Sequence, residues 1–203
     1  MKIAIVDYGM GNISSLKSAL LYVGAEDVIV SKDFNVLCAS DKLILPGVGN
    51  YALASKKIRQ IGLDEVLQDI VVENKKPLLG VCLGMQILGE SSTESGFNLG
   101  LNFVDGQVTE FSETNLRVPH VGYNQIKVNS NSRLYTGLKD NSDFYFTHSY
   151  RMTSNSDIGQ SMCDYEDSFI ASFEKDNIAG VQFHPELSQK NGLRLLRNFI
   201  ELF

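Results

Sequence analysis

The stretch PLLGVCLGMQILGE, residues 77–90, decides how the chain is read. Pro77 introduces a four-residue apolar run, a cysteine follows, and apolar residues then return at helical spacing. A short buried strand passing straight into a helix accounts for this pattern. So tight a junction leaves no room for side chains two places before or after its central residue. Gly80 and Gly84 occupy those two places around Cys82. The thiol is therefore expected at the carboxyl edge of a sheet, facing the unpaired N–H groups and positive dipole end of the helix. Cysteines are more often small buried hydrophobes, and Cys38 and Cys163, which lack such a setting, read that way. At Cys82 the flanking glycines favour a reactive sulfur. The backbone N–H of Leu83, the residue after it, is expected to meet a developing oxyanion.

Working outward, residues 2–6 (KIAIV) form a β-branched run, and a helix opened by Asn12, Ser14 and Ser15 closes at Gly24. Residues 28–30 and 42–45 are further strands, PGVGN at 46–50 is a break, and helical patterning covers about 51–74 with an interruption near Gly62. The order to residue 90 is strand, helix, strand, strand, helix, strand, helix. It predicts an α/β fold with a mostly parallel central sheet and helices on both faces. From 101 to 182 short alternating runs (QVTEF, QIKVN, FYFTHSY, FIASF) predict an antiparallel extension of that sheet. IAGVQFHPE at 178–186 reads as a last buried strand and 190–203 as a closing amphipathic helix. With no repeat, linker or low-complexity segment, residues 1–203 are expected to form one domain.

A thiol nucleophile needs a base, and the base an orienting group. Of three histidines, His120 and His148 have no acid nearby in sequence, whereas His184 follows a buried strand and precedes Pro185 and Glu186. Side chains two apart in extended backbone share a side, so Glu186 can fix the imidazole tautomer, as carboxylates do in hydrolase triads. Cys82, His184 and Glu186 are the expected catalytic set.

GVCLGMQ followed by VQFHPE resembles the class I, triad-type glutamine amidotransferases. Within that group DYGMGN, LPGVGNY, GLDEVL, KPLLGVCLGMQILGESS, VPHVGYNQI, FTHSY and GVQFHPELS are similar to the glutaminase subunits of imidazole glycerol phosphate synthases, of histidine biosynthesis. The resemblance implies hydrolysis of glutamine to glutamate and ammonia, with no cofactor and no metal. It implies a second oxyanion donor from the backbone of Val48 or Gly49. It places glutamine against Gln86, one helical turn beyond Cys82, against Glu94, and against the strip Thr147, His148, Ser149 and Tyr150. Nothing else in the chain could use ammonia, so a (βα)8-barrel synthase partner in a heterodimer is implied. Two positions depart from the family pattern: Tyr123 stands where tryptophan is usual and Leu187 where lysine is usual. They keep open a paralogue that supplies ammonia for amidation of a surface-polysaccharide sugar. DJ-1-like proteins share a cysteine elbow but lack the H-P-E ending, and an inactive regulatory module would have no reason to retain all three catalytic residues.

The bulk numbers restrict the alternatives. The 203 residues are 43% hydrophobic and 21% charged, with a formal net charge of -6 and no tryptophan. An acidic balance without basic clusters argues against nucleic acid and anionic membranes as partners. No apolar run approaches the roughly 20 residues needed to span a bilayer. Residues 1–12 read as a first strand and not a signal peptide. Three cysteines make neither a disulfide framework nor a zinc pattern, which fits a cytoplasmic chain with reduced thiols.

Overall fold

A computed structural model describes residues 1–111, 117–165 and 167–203. The first half alternates strands and helices: β1 (Lys2–Val6), α1 (Ile13–Tyr22), β2 (Asp27–Ser31), α2 (Phe34–Cys38), β3 (Lys42–Leu45), α3 (Tyr51–Gln60), α4 (Leu63–Leu67), β4 (Leu78–Val81) and α5 (Leu83–Ile87). Shorter strands follow: β5 (Ser91–Ser92), β6 (Asn98–Leu99), β7 (Gln107–Glu110), β8 (His120–Gln125), β9 (Asp143–His148), β10 (Tyr150–Thr153), β11 (Ser161–Tyr165), β12 (Asp167–Lys175) and β13 (Ile178–Val181). Helix α6 (Gln189–Leu202) ends the chain.

The main sheet has seven strands in the order β11-β12-β13-β4-β3-β1-β2. Strands β13, β4, β3, β1 and β2 run parallel, and β12 and β11 add antiparallel neighbours at one edge. Successive side chains of a strand point to opposite faces, and the apolar residues divide accordingly. Ile3, Ile5, Ile44, Leu79 and Val81 join a core with Leu16 and Leu20 of α1 and Leu195, Leu196 and Phe199 of α6. Ala4, Val6, Leu43, Leu45 and Leu78 join a second core with Tyr51, Ala54 and Ile58 of α3, Leu63 and Leu67 of α4, and Leu83 and Met85 of α5. Burial on both sides is why these strands read as unbroken apolar runs.

Four expectations need correction. The antiparallel extension is confined to β11 and β12; β10-β7-β5-β6 form a separate sheet and β8-β9 a hairpin of their own. QIKVN is not a strand, because β8 ends at Gln125 and Lys127 makes only an isolated bridge to Met162. The buried strand at 178–186 stops at Val181, and Pro185–Leu187 form a 3-10 turn that brings Glu186 round beside His184. Helix α2, capped by Asp33 accepting from the Val36 N–H, is missing from the sequence reading because five residues with only Leu37 buried carry no helical period. The break near Gly62 is found, with α3 ending before it and α4 leading into a π-helical turn over Gln68–Glu73. Among the described residues no helix is long and apolar enough to cross a membrane.

Candidate active site

Cys82 sits where β4 turns into α5, with φ 54° and ψ −112°. A residue with a Cβ takes positive φ only where its surroundings impose it. The imposition is visible on both sides. A Cβ at Gly84 would lie 1.9 Å from the Leu45 carbonyl oxygen, and one at Gly80 would lie 2.8 Å from Met85 backbone atoms. Glycine is the only residue that allows α5 to pack this closely on β3 and β4.

The second half of the site arrives by strand register. β13 lies beside β4 in parallel, pairing Val181 with Val81, and the Cys82 N–H donates to the Val181 carbonyl at 2.8 Å. Residues just beyond Val181 therefore emerge at the carboxyl edge beside the thiol. His184 emerges there with Nδ1 2.9 Å from Glu186 Oε1, both side chains almost fully buried. Its Nε2 has no hydrogen-bond partner among the described residues and is the atom left for chemistry. Burial works against charge on the imidazole, but the Cys82 sulfur and the Glu186 carboxylate outweigh it and raise His184 to about 10.

A cavity of 340 Å³ opens over these groups. Every residue of the expected set except Glu186 lines it: Val48, Gly49, Cys82, Leu83, Gln86, Glu94, Thr147, His148, Ser149, Tyr150 and His184. Glu186 lies away from the cavity and reaches it only through the imidazole. Pro119 also lines the cavity and was not anticipated.

One of the backbone N–H groups expected to meet an oxyanion is already bonded within the chain. The Leu83 N–H donates to the Gly47 carbonyl at 3.3 Å. The carbonyl and N–H of a trans peptide point in opposite directions, so the Val48 N–H of that peptide is turned away. Rotating this single unit would release the Leu83 N–H and swing the Val48 N–H toward it. Of the two expected donors, only the Val48 N–H belongs to the peptide whose carbonyl Leu83 engages. Either side of the hinge is anchored. The buried Tyr8 hydroxyl donates to the Pro46 carbonyl at 2.8 Å. Asn50 caps α3 by accepting from the Leu53 N–H and donates to Ser95 Oγ.

Around Gln86 and Glu94 the hydrogen bonds leave little freedom. Gln86 Nε2 donates to the Tyr150 carbonyl at 3.0 Å and to Gln182 Oε1 at 2.8 Å. Both amide protons are committed, which leaves only the Gln86 carbonyl oxygen for a further partner. Glu94 Oε2 accepts from the Tyr51 N–H at 2.8 Å, a first-turn position favourable to a carboxylate. Its role is thus partly to hold α3 in place. The Tyr150 carbonyl also accepts from His148 Nδ1 at 2.8 Å, which leaves His148 Nε2 to accept from His120 Nδ1 at 3.2 Å. Both rings are kept neutral: burial lowers His148 to about 3 and His120 to about 4.

Sequence reasoning missed Gln182, fully buried with its amide on the Cys82 sulfur. The signal was available. Gln182 stands two places before His184 as a polar residue amid an apolar run.

The chain belongs to the class-I glutamine amidotransferase family, whose pattern it matches over residues 4–202. Within that family it is similar to imidazole glycerol phosphate synthase subunits HisH. It is 42% identical over 201 residues to HisH 1 of Campylobacter jejuni (strain RM1221), covering 98% of this chain and 100% of that one. It is 43% identical over 207 residues to HisH of Pyrococcus furiosus, covering 99% of each. Among solved structures it resembles a glutamine amidotransferase from Thermotoga maritima, with TM-score 0.70 and 13% identity over 99% of this chain and 96% of that one. PurLQS from the same organism superposes with TM-score 0.70 at 19% identity, over 98% of this chain and 97% of that one. At such identities these two speak for the fold alone.

Proposed function

We propose that the chain is a glutaminase that hydrolyses glutamine and hands ammonia to a separate synthase subunit, the cyclase of an imidazole glycerol phosphate synthase. The observation that carries it is the meeting of Cys82 and His184 over one cavity, with Glu186 bonded to the far nitrogen of the imidazole; the names of the relatives support the pathway. The Cys82 thiolate attacks the side-chain amide carbon of glutamine and forms a tetrahedral oxyanion. His184 gives its proton to the departing nitrogen, so ammonia leaves and a glutamyl thioester remains. The same imidazole then takes a proton from water as the water adds to the thioester, and glutamate leaves with the thiolate restored. Glu186 holds the ring with Nε2 toward the sulfur. The Gln86 carbonyl oxygen, Glu94 and the 147–150 strip hold the amino-acid end of the substrate.

With the Leu83 N–H bonded to Gly47, the isolated chain lacks its oxyanion donors and idles. Docking of a (βα)8-barrel partner rotates the Gly47–Val48 peptide and couples hydrolysis to ammonia use, in a cytoplasmic heterodimer whose products are glutamate, imidazole glycerol phosphate and an aminoimidazole carboxamide ribotide. Cys82→Ala tests this reading. Product formation by the complex should disappear with glutamine and persist with ammonium salts; loss of both would make the thiol structural. The two departures from the family pattern, Tyr123 and Leu187, are both exposed, and co-purification identifies whether the partner is this cyclase or a paralogous synthase that amidates a sugar.

A further inference from the structure

Gln182 takes no part in the reaction above, yet it is fully buried and touches the nucleophile. It continues β13 just beyond Val181, as Cys82 continues β4 just beyond Val81, so register sets the two side by side. Its Nε2 donates to Cys82 Sγ at 3.7 Å and its Oε1 accepts from Gln86 Nε2 at 2.8 Å. The amide orientation is dictated and not arbitrary. The Tyr150 carbonyl only accepts, so the atom of Gln86 beside it is nitrogen; the atom of Gln182 beside that nitrogen is oxygen; and a nitrogen is left for the sulfur.

We infer that Gln182 is a positioning residue for the nucleophile, its amide N–H steadying the anionic form of the Cys82 sulfur while Gln86 prevents the amide from turning over. It rests on the glutaminase reading of Cys82. A neutral donor suits the task. Its bond strengthens as the sulfur becomes charged, and it does not compete for the proton that His184 moves. Were the amide reversed, an oxygen lone pair would face the thiolate and Gln86 Nε2 would lose an acceptor. The other groups bearing on the sulfur are His184 beyond β13, braced by Glu186, and the Tyr8 hydroxyl beyond β1, whose ionisation is held back by burial and by charge on Cys82. His148 on β9 acts on His184.

Two variants of the full chain test it. Gln182→Met keeps the volume and removes the donor; Gln182→Glu still accepts from Gln86 but sets a carboxylate against the sulfur. The readouts are the rate of Cys82 alkylation by iodoacetamide against pH, and KM and kcat for glutamine. In Gln182→Met, alkylation at pH 7 should slow about tenfold and its acidic limb move up about one pH unit, the loss of one hydrogen bond to a charged group. Gln182→Glu should move it further. KM should stay within about threefold, with the loss in kcat. Profiles that coincide with the unsubstituted chain, or a loss carried by KM alone, overturn the role, and should one variant not fold the other decides. If the unsubstituted chain neither hydrolyses glutamine nor is alkylated at Cys82 by a diazo-ketone glutamine analogue, it is the glutaminase reading that falls.

Discussion

Val48→Pro isolates the peptide unit on which regulation is proposed to turn. Proline lacks the N–H that rotation is meant to deliver. The Val48 side chain is 41% exposed, so little packing is lost, and its φ is not among the positive ones. The energies can be set against each other. Opening the Leu83 N–H to Gly47 carbonyl bond, long at 3.3 Å, costs about 0.5–1.5 kcal/mol net. An oxyanion donor in place is worth about 2.7–4 kcal/mol of transition-state stabilisation, or about 10²–10³ in kcat. Rotation is therefore inexpensive for a partner to drive and large in effect. In the partner-bound complex Val48→Pro should lower glutamine hydrolysis about 10²–10³-fold, while Val48→Ala, which retains the N–H, stays within about threefold. Ammonia-dependent synthesis by the complex serves as the control for docking and should be unchanged. Equal losses in the proline and alanine variants, or full activation of the proline variant, would refute the rotation.

Two more outcomes follow from the site. Glu186→Gln removes one of the two charges that raise His184 from 6.5 to about 10. A pKa raised on folding stabilises the native state below the unfolded value and ceases to as pH passes the folded one. The deficit in thermal stability of Glu186→Gln should accordingly be greatest at or below about pH 6.5 and close as pH rises toward about 10, as followed by circular dichroism melts across pH. A deficit that widens with rising pH would contradict the charge assignment. Gly84→Ala places a Cβ 1.9 Å from a backbone oxygen of β3, where neither side yields as a flexible side chain would. It should cost about 3 kcal/mol or more in denaturant unfolding, and a variant of unchanged stability would mean that the elbow is looser than described.

Much of the molecule is legible in the sequence because it depends on local chemistry. The glycines around Cys82 announce the strand-to-helix junction: the collision Gly80 avoids is with its chain neighbour Met85, whereas that of Gly84 is with Leu45 of β3 and shows only in the fold. Apolar runs at 43–45 and 78–81 announce strands buried on both faces. His184 and Glu186 announce their pairing because only Pro185 stands between them, although a 3-10 turn and not extended backbone brings them together. Where a short element carries no period, as in α2, or where alternation is shared by several small sheets, as in residues 101–165, local pattern stops being informative.

What only the tertiary structure decided is which distant groups meet. The pairing of Val81 with Val181 brings residues 100 apart into line, sets His184 over Cys82, and places the Gln182 amide on the sulfur. Register between β4 and β13 arises from side chains packing on two faces at once, which no single segment encodes. The state of the oxyanion loop is likewise a tertiary outcome: the sequence marks 46–50 as a turn, but the Gly47 carbonyl finds its partner in Leu83, 36 residues on. Sequence by itself determined the chemistry available, because reactivity belongs to residue types and their near neighbours. Structure determined its arrangement, because close packing leaves one way to bring those residues together.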